Sequence, residues 1–220
     1  MTASQNGGHV IYSLDIQTLL LITALAFLPG LLLIMTAFPR IVIVLAIFRQ
    51  ALGLTSTPPN ILLIALALVL TVFVMRPTID TLNSEVVQPY LSQKISFNDA
   101  AGKAEASARK FMLSQTRRRP LHLFVTLAHP KHQWASPKAV PFSVLVPAFV
   151  TSELQSAFEI GFLVYIPFVL IDLAVAAVLM ALGMIMVSPT MISLPIKLLV
   201  FTSIGGWSLL LGSLAQSYHH

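Results

Sequence analysis

Six charged residues stand within or beside long apolar runs: Arg40, Arg49, Glu153, Glu159, Asp172 and Lys197; a seventh, Arg76, ends such a run. A charge at the centre of a bilayer costs about 2.5–3.5 kcal/mol on insertion scales, so such residues pair with one another or face water inside a bundle. Two kinds of chemistry follow. Either the acids relay protons or ions in a pathway, or acids and bases pair to hold helices together, within one chain or between subunits. Pairing is the reading we prefer, with Glu153 and Lys197 as partners: a lone lysine near a lone acid on neighbouring helices satisfies both.

A second group is soft rather than charged. The stretch Met180–Pro189 places Met180, Met184 and Met186 close together. Methionine is unbranched and adapts to irregular shapes, so at a loop between helices it could form a deformable seal, but from composition alone gap-filling in a membrane core is the preferred reading. His129 and His132 are too few for a metal site, and no carboxylate lies nearby in sequence. No metal or cofactor is expected. The chain has no cysteine, which excludes disulfides and thiolate chemistry. No P-loop, Gly-rich phosphate loop or Ser/His/Asp order is present, and no catalytic residue is assigned.

The elements that must carry these residues are apolar. Of 220 residues 56% are hydrophobic and 10% charged, with a mean hydropathy of +0.86; soluble domains carry about 25% charge. That excludes an ordinary cytosolic enzyme, a disordered chain and a coiled coil, and points to a membrane-associated assembly. The net charge of +5 is no sign of nucleic acid, because ten of the thirteen Lys/Arg lie between Arg76 and Lys138 together with four of the eight acids. The expected fold is all-α: membrane-associated helical hairpins with kinked helices and a small helical insert.

Five regions are expected. Residues 1–15 form a polar lead that does not read as a signal peptide. Residues 16–79 form a first apolar helical pair, kinked or broken at Pro29-Gly30, with Thr57 capping its second helix and Pro58 in the first turn. Residues 80–142 form a helical insert. Its Ser96-Phe97-Asn98-Asp99 reads as a capping box for a helix over about 97–116, with an apolar stripe through Phe97, Ala101, Ala104, Ala108, Phe111 and Met112. Arg117–Arg119 should complement the end of that helix, a short helix spans Leu121–Ala128, and 129–141 is loop. Residues 143–216 form a second hairpin region, either a hairpin or a strongly kinked helix up to Val187. Ser188-Pro189 and Leu194-Pro195 punctuate a loop there, and Lys197 heads the last helix. Gly205, Gly206 and Gly212 suggest close helix packing. Residues 217–220 are a tail. Arg40 and Arg49 place their loop on the cytoplasmic side, so the insert faces out.

The sequence also resembles a known family. Phe38-Pro39-Arg40-Ile41-Val42, Arg49-Gln50-Ala51-Leu52-Gly53 and Pro58-Pro59-Asn60 are similar to the first block of the FliP family. Val146-Pro147-Ala148-Phe149-Val150-Thr151-Ser152-Glu153-Leu154, Ile160-Gly161-Phe162, Ile166-Pro167-Phe168 and Ile171-Asp172-Leu173 are similar to the second. Leu182-Gly183-Met184, Ser188-Pro189, Ser193-Leu194-Pro195-Ile196-Lys197-Leu198, Gly206-Trp207 and Gly212-Ser213-Leu214 complete the likeness. Lys94-Ile95-Ser96 and Phe111–Arg117 look like its flagellar branch.

The resemblance implies a non-catalytic, pore-forming subunit of the flagellar type III export gate in the bacterial inner membrane. It implies a ring of five copies joined by FliQ and FliR, working beside FlhB and FlhA, with unfolded rod, hook and filament subunits passing through the centre and lipid around it. The insert would lie on the periplasmic side. It implies a pore gasket at Met184, Ile185 and Met186, where Ile185 replaces a Met common in the family, and a stabilising pair from Glu153 and Lys197 in the ring. Gly206 stands where many members have an acid beside the Trp. Two other readings are the injectisome counterpart and a proton-coupled small-solute transporter using Glu153, Glu159 and Asp172; the second would be expected to show internal repeats, and none is seen.

Overall fold

Apolar runs that are too long for soluble helices become helices here with few interruptions. The computed structural model describes residues 13–128, 140–184 and 186–218. His129, Lys131, His132, Ile185 and His219-His220 lie outside the described residues, as do most of the polar lead and most of the expected loop at 129–141. The described residues form α1 (Ser13–Ile34), α2 (Phe38–Ala51), α3 (Asn60–Leu82), a π-helical turn (Asn83–Val87) running into α4 (Gln88–Leu91), α5 (Phe97–Gln115), α6 (Arg118–Ala128), α7 (Phe142–Ala181), α8 (Pro189–Ser203) and α9 (Gly206–Gln216). There is no strand among them, and the fold is all-α.

Two continuous helical stretches, Asn60–Leu91 and Phe142–Ala181, are long and apolar enough to cross a membrane. Two bent pairs would add to them if each is one span: α1 with α2, bent by 70°, and α8 with α9, bent by 67°. Each bend has a local cause. At the first, Met35 and Thr36 close tight turns onto Leu32 and Leu33, and the Thr36 hydroxyl accepts the Phe38 N–H at 3.2 Å. The expected break at Pro29 is therefore displaced: Pro29 stays inside α1, and the chain turns just before Pro39, which sits in the first turn of α2 where its missing N–H costs nothing. At the second bend, Gly205 takes φ +63°, a left-handed conformation suited to glycine.

The start of α3 also moves. Thr57 does not cap it; Pro59 holds the cap position with extended backbone, and the helix begins at Asn60. A residue before proline is kept out of the α region, so Pro58 cannot open a helix while Pro59 follows it. Arg49 braces this turn by donating to the Pro58 carbonyl at 3.1 Å and the Asn60 side chain at 2.7 Å.

The core gathers around α2, whose Ile41, Val44, Leu45 and Phe48 are buried. Residues of α7 at helical spacing, from Val144 through Leu145, Ala148, Phe149, Ser152, Glu153 and Ser156 to Ala157, are buried too. The two helices meet closely at Gly161, where an added Cβ would stand 2.5 Å from Ile47 Cδ1. A second, smaller core joins the insert to α7 through Met112, Val140, Val144, Leu145 and Phe149. By contrast α1 is exposed along most of its length, and its apolar circumference calls for lipid or another chain.

The region from Phe142 is one helix of 40 residues with Pro147 and Pro167 inside it, not a hairpin ending at Val187. At about 1.5 Å per residue it is roughly 60 Å long, twice a hydrocarbon core. The hairpin is made by α7 and α8. Leu194-Pro195 lies within α8 and Lys197 lies in its middle rather than at a helix start.

In the insert, the capping box forms as expected: the Ser96 hydroxyl accepts the Asp99 N–H at 3.2 Å, and the Asp99 carboxylate takes the Ser96 hydroxyl at 2.7 Å and its N–H at 3.4 Å. These bonds hold the exposed Asp99 carboxyl below its ordinary range. Of the expected stripe, Met112 is buried, while Phe97 is exposed, its ring set edge-on to that of Tyr90. The arginine run does not close α5. That helix ends at Gln115, and Arg118 and Arg119 begin α6, where positive charge opposes the helix dipole by a few tenths of a kcal/mol.

Candidate functional site: two ion-pair clusters and a methionine loop

The first cluster is built on α2. Arg40 points into the core, 3% exposed, and faces Glu153 of α7, which is wholly buried. The pairing is forked: Arg40 Nη2 donates to Glu153 Oε1 at 2.5 Å and Nε to Oε2 at 3.1 Å. The other guanidinium donors reach the Ser217 carbonyl (3.0 Å) and hydroxyl (3.1 Å) and Gln115 Oε1 (3.1 Å). The Tyr218 ring lies 3.8 Å under the guanidinium carbon, and its hydroxyl donates to Glu153 Oε2 at 2.7 Å. One arginine thus ties together α2, α5, α7 and the chain end after α9. A buried pair is only stable when its remaining donors and acceptors are met, and no buried side-chain N or O among the described residues lacks a partner.

The second cluster lies further along α7. Lys197 of α8, 2% exposed, donates to Asp172 Oδ2 at 2.6 Å and to the Ala51 carbonyl at 2.9 Å. Ser193, one turn earlier on α8, donates to Asp172 Oδ1 at 2.5 Å. The Ala51 carbonyl is free to accept because Gly53, at φ +82°, closes α2 with Gly53 N–H on Gln50 and Leu54 N–H on Arg49. A cation at a helix C-terminus also matches the dipole.

The expected pair is therefore divided within the chain. Glu153 and Lys197 do not pair with each other here; Arg40 takes Glu153, and Asp172 takes Lys197. The reason is register: α7 carries both acids on one long helix, and α8 lies alongside its far part, near Asp172, while Arg40 at the head of α2 meets the near part. Glu159 belongs to neither cluster. It forms a forked, half-exposed pair with Arg117 at 2.7 and 2.5 Å, which raises the Arg117 pKa chiefly through those hydrogen bonds. The Arg117 N–H also donates to Ser152 at 3.0 Å, fastening the turn between α5 and α6 to α7. Arg49 makes no ion pair among the described residues and serves the turn before α3.

Sequence reasoning missed Tyr218, Ser217, Gln115 and Ser193. Only Ser193 carried a signal, standing one helical turn before a lysine in an apolar run.

The methionine loop closes the α7–α8 hairpin. Gly183, at φ +76°, donates to the Met180 carbonyl and Met184 N–H to Leu179, a Gly-terminated helix end. Met184 is 44% exposed and Met186 fully exposed. None of the described residues covers Met186. No cluster of three His, Cys, Asp or Glu occurs among the described residues.

A family model described as the FliP family matches residues 21–214. This chain belongs to the FliP family. It is similar to the flagellar biosynthetic protein FliP of Pectobacterium carotovorum subsp. carotovorum, 53% identical over 215 residues, covering 97% of this chain and 82% of the relative. The Cereibacter sphaeroides relative of the same name is 49% identical, with 99% and 72% covered. That of Bacillus subtilis (strain 168) is 47% identical, with 94% and 93% covered. The chain is a component of the flagellar export apparatus with membrane-spanning helices.

The glycine at position 206 has a packing reason. A Cβ there would stand 2.1 Å from the Phe201 ring. That ring packs among Phe48 and Trp207, with centroids 4.7 and 5.5 Å away, so an acidic side chain has no room. The close packing expected of the glycines holds at Gly206 but not at Gly212, which has open space around it.

Proposed function

We propose that this chain is a structural, non-catalytic, pore-forming subunit of the flagellar type III export gate, passing unfolded rod, hook and filament subunits. Met184, Ile185 and Met186 form the seal. The observation that carries this is the exposure of Met184 and Met186 at the tip of the α7–α8 hairpin, held out by Gly183 and left uncovered by the described residues. A flexible thioether loop in that position conforms to a changing occupant better than branched side chains would.

The subunit works as a ring of five copies with FliQ and FliR, beside FlhB and FlhA, in the bacterial inner membrane. The insert over 80–142 faces the periplasm. The uncovered apolar faces of α1 and α3 supply the surface that neighbouring copies, these partners and lipid would bury. Arg40–Glu153 and Asp172–Lys197 are structural pairs that fix each subunit's shape before it joins the ring, and neither relays protons.

Native mass spectrometry of the detergent-solubilised chain tests this, alone and co-expressed with FliQ and FliR. A ring of about five copies that gains both partners is expected. A stable monomer or dimer that ignores them would overturn the reading.

A further inference from the structure

The second ion-pair cluster lies at a particular place on the hairpin. Asp172 is on one arm and Ser193 and Lys197 on the other, and Lys197 also holds the end of α2 through Ala51. Leu194 adds an apolar contact, its Cδ1 lying 3.8 Å from where a Cβ on Gly53 would be. Both arms are thereby fastened to each other and to the core helix at one level. Pro195, which cannot donate to the helix ladder, stands between Ser193 and Lys197 and is braced on both sides.

Beyond that level the packing within the described chain thins. From Leu173 to the loop and back to Ile192, Leu179 is the only buried residue among those described. Leu173, Val178, Met180, Leu182 and Met191 are exposed. The free arm from Asp172 to Ala181 is roughly 14 Å of helix. Below that level α7 is packed against α2.

We propose that Asp172, Ser193 and Lys197 are the positioning residues of the methionine loop. They fix the point about which the bare hairpin tip moves, so that the tip deflects for a passing chain and returns to one closed position. Ser193 is the part that decides position rather than attachment: its bond to Oδ1 orients the carboxylate so that Oδ2 meets Lys197, which sets the two arms in register. This rests on the seal reading above.

The test uses the assembled gate complex in membrane vesicles and reads ion leakage through the closed gate. Four variants are compared with wild type: the double variant Met184→Ala/Met186→Ala, Asp172→Asn, Ser193→Ala and Ser193→Thr. Asp172→Asn and Ser193→Ala should assemble with wild-type stoichiometry and leak several-fold more than wild type, as the methionine variant does. Ser193→Thr keeps the hydroxyl and should stay tight. If the methionine variant leaks while Ser193→Ala is as tight as wild type, the positioning role is wrong and the seal stands. If the methionine variant is tight too, the seal reading fails and this inference falls with it. Should Asp172→Asn not assemble, Ser193→Ala decides the outcome alone.

Discussion

The two ion-pair clusters share a chemistry and differ in how completely they are enclosed. Arg40–Glu153 is shut inside the core, with the fork filled, a tyrosine ring beneath the guanidinium and the chain end wrapped over it. Asp172–Lys197 is open on its acid side, the Asp172 side chain being 29% exposed. Only two arms and one helix end meet there. The first cluster leaves no freedom to any of the elements it joins. The second fixes one level of a hairpin whose tip beyond it is unpacked. Burial thus separates a joint that must never open from an anchor about which something moves, although the residue types alone would have suggested equal roles.

The sharpest way to break this comparison is to remove one partner from each cluster. Glu153→Ala should cost about 3–5 kcal/mol, because Arg40 is left charged and enclosed. Chemical unfolding of the solubilised protein, followed by tryptophan fluorescence, reads the loss. Adding Arg40→Leu should recover part of it, since the stranded charge is then gone. Were the single variant as stable as wild type, the enclosed-joint account would be wrong. Lys197→Met should cost less, about 1.5–3 kcal/mol, the usual range for hydrogen bonds to charged groups, since Asp172 can turn toward solvent. An equal or larger cost than for Glu153→Ala would erase the distinction between the clusters.

A third substitution probes the packing that holds the first cluster together. Gly161→Ala forces a Cβ to within 2.5 Å of Ile47 Cδ1 and 3.3 Å of Ile47 Cβ. The cost expected of overpacking is about 1–3 kcal/mol, and Ile47→Ala in the same chain should relieve it. The same unfolding assay would show this as a double variant more stable than Gly161→Ala alone.

Which charges needed partners was legible in the sequence, but who pairs with whom was not. Charges in apolar runs announce themselves because the surroundings penalise them, so Arg40, Glu153, Asp172 and Lys197 stand out without any structure. Their partners depend on the relative register of α2, α7 and α8, which is set by side-chain packing far apart in the chain. That is why Glu153 and Lys197, a sensible pair by type, belong to different clusters. Two prolines were misjudged for a related reason. Pro29 and Pro195, expected at a break and in a loop, both lie inside helices, since in an apolar environment the helix is the state that satisfies the remaining backbone groups. The capping box at Ser96, which depends on four consecutive residues and nothing distant, was legible in full.

That box gives the smallest expected effect and the cleanest sign. Ser96→Ala removes the oxygen that accepts the Asp99 N–H, and losing such a cap costs about 1 kcal/mol. Asp99 is held below its ordinary carboxyl value by its bonds to Ser96. Its contribution is therefore complete above the unfolded carboxyl value and is lost as pH falls through the lower, folded one. Hydrogen exchange at the first turn of α5 should quicken under acid relative to its intrinsic rate, and Ser96→Ala should show the quickened exchange already at neutral pH. Since neither cluster touches this turn, their exchange should stay unchanged in that variant. If it rises as well, the insert and the membrane helices unfold as one unit, and the insert-side contacts of Gln115 and Arg117 carry more of the fold than their separate hydrogen bonds suggest.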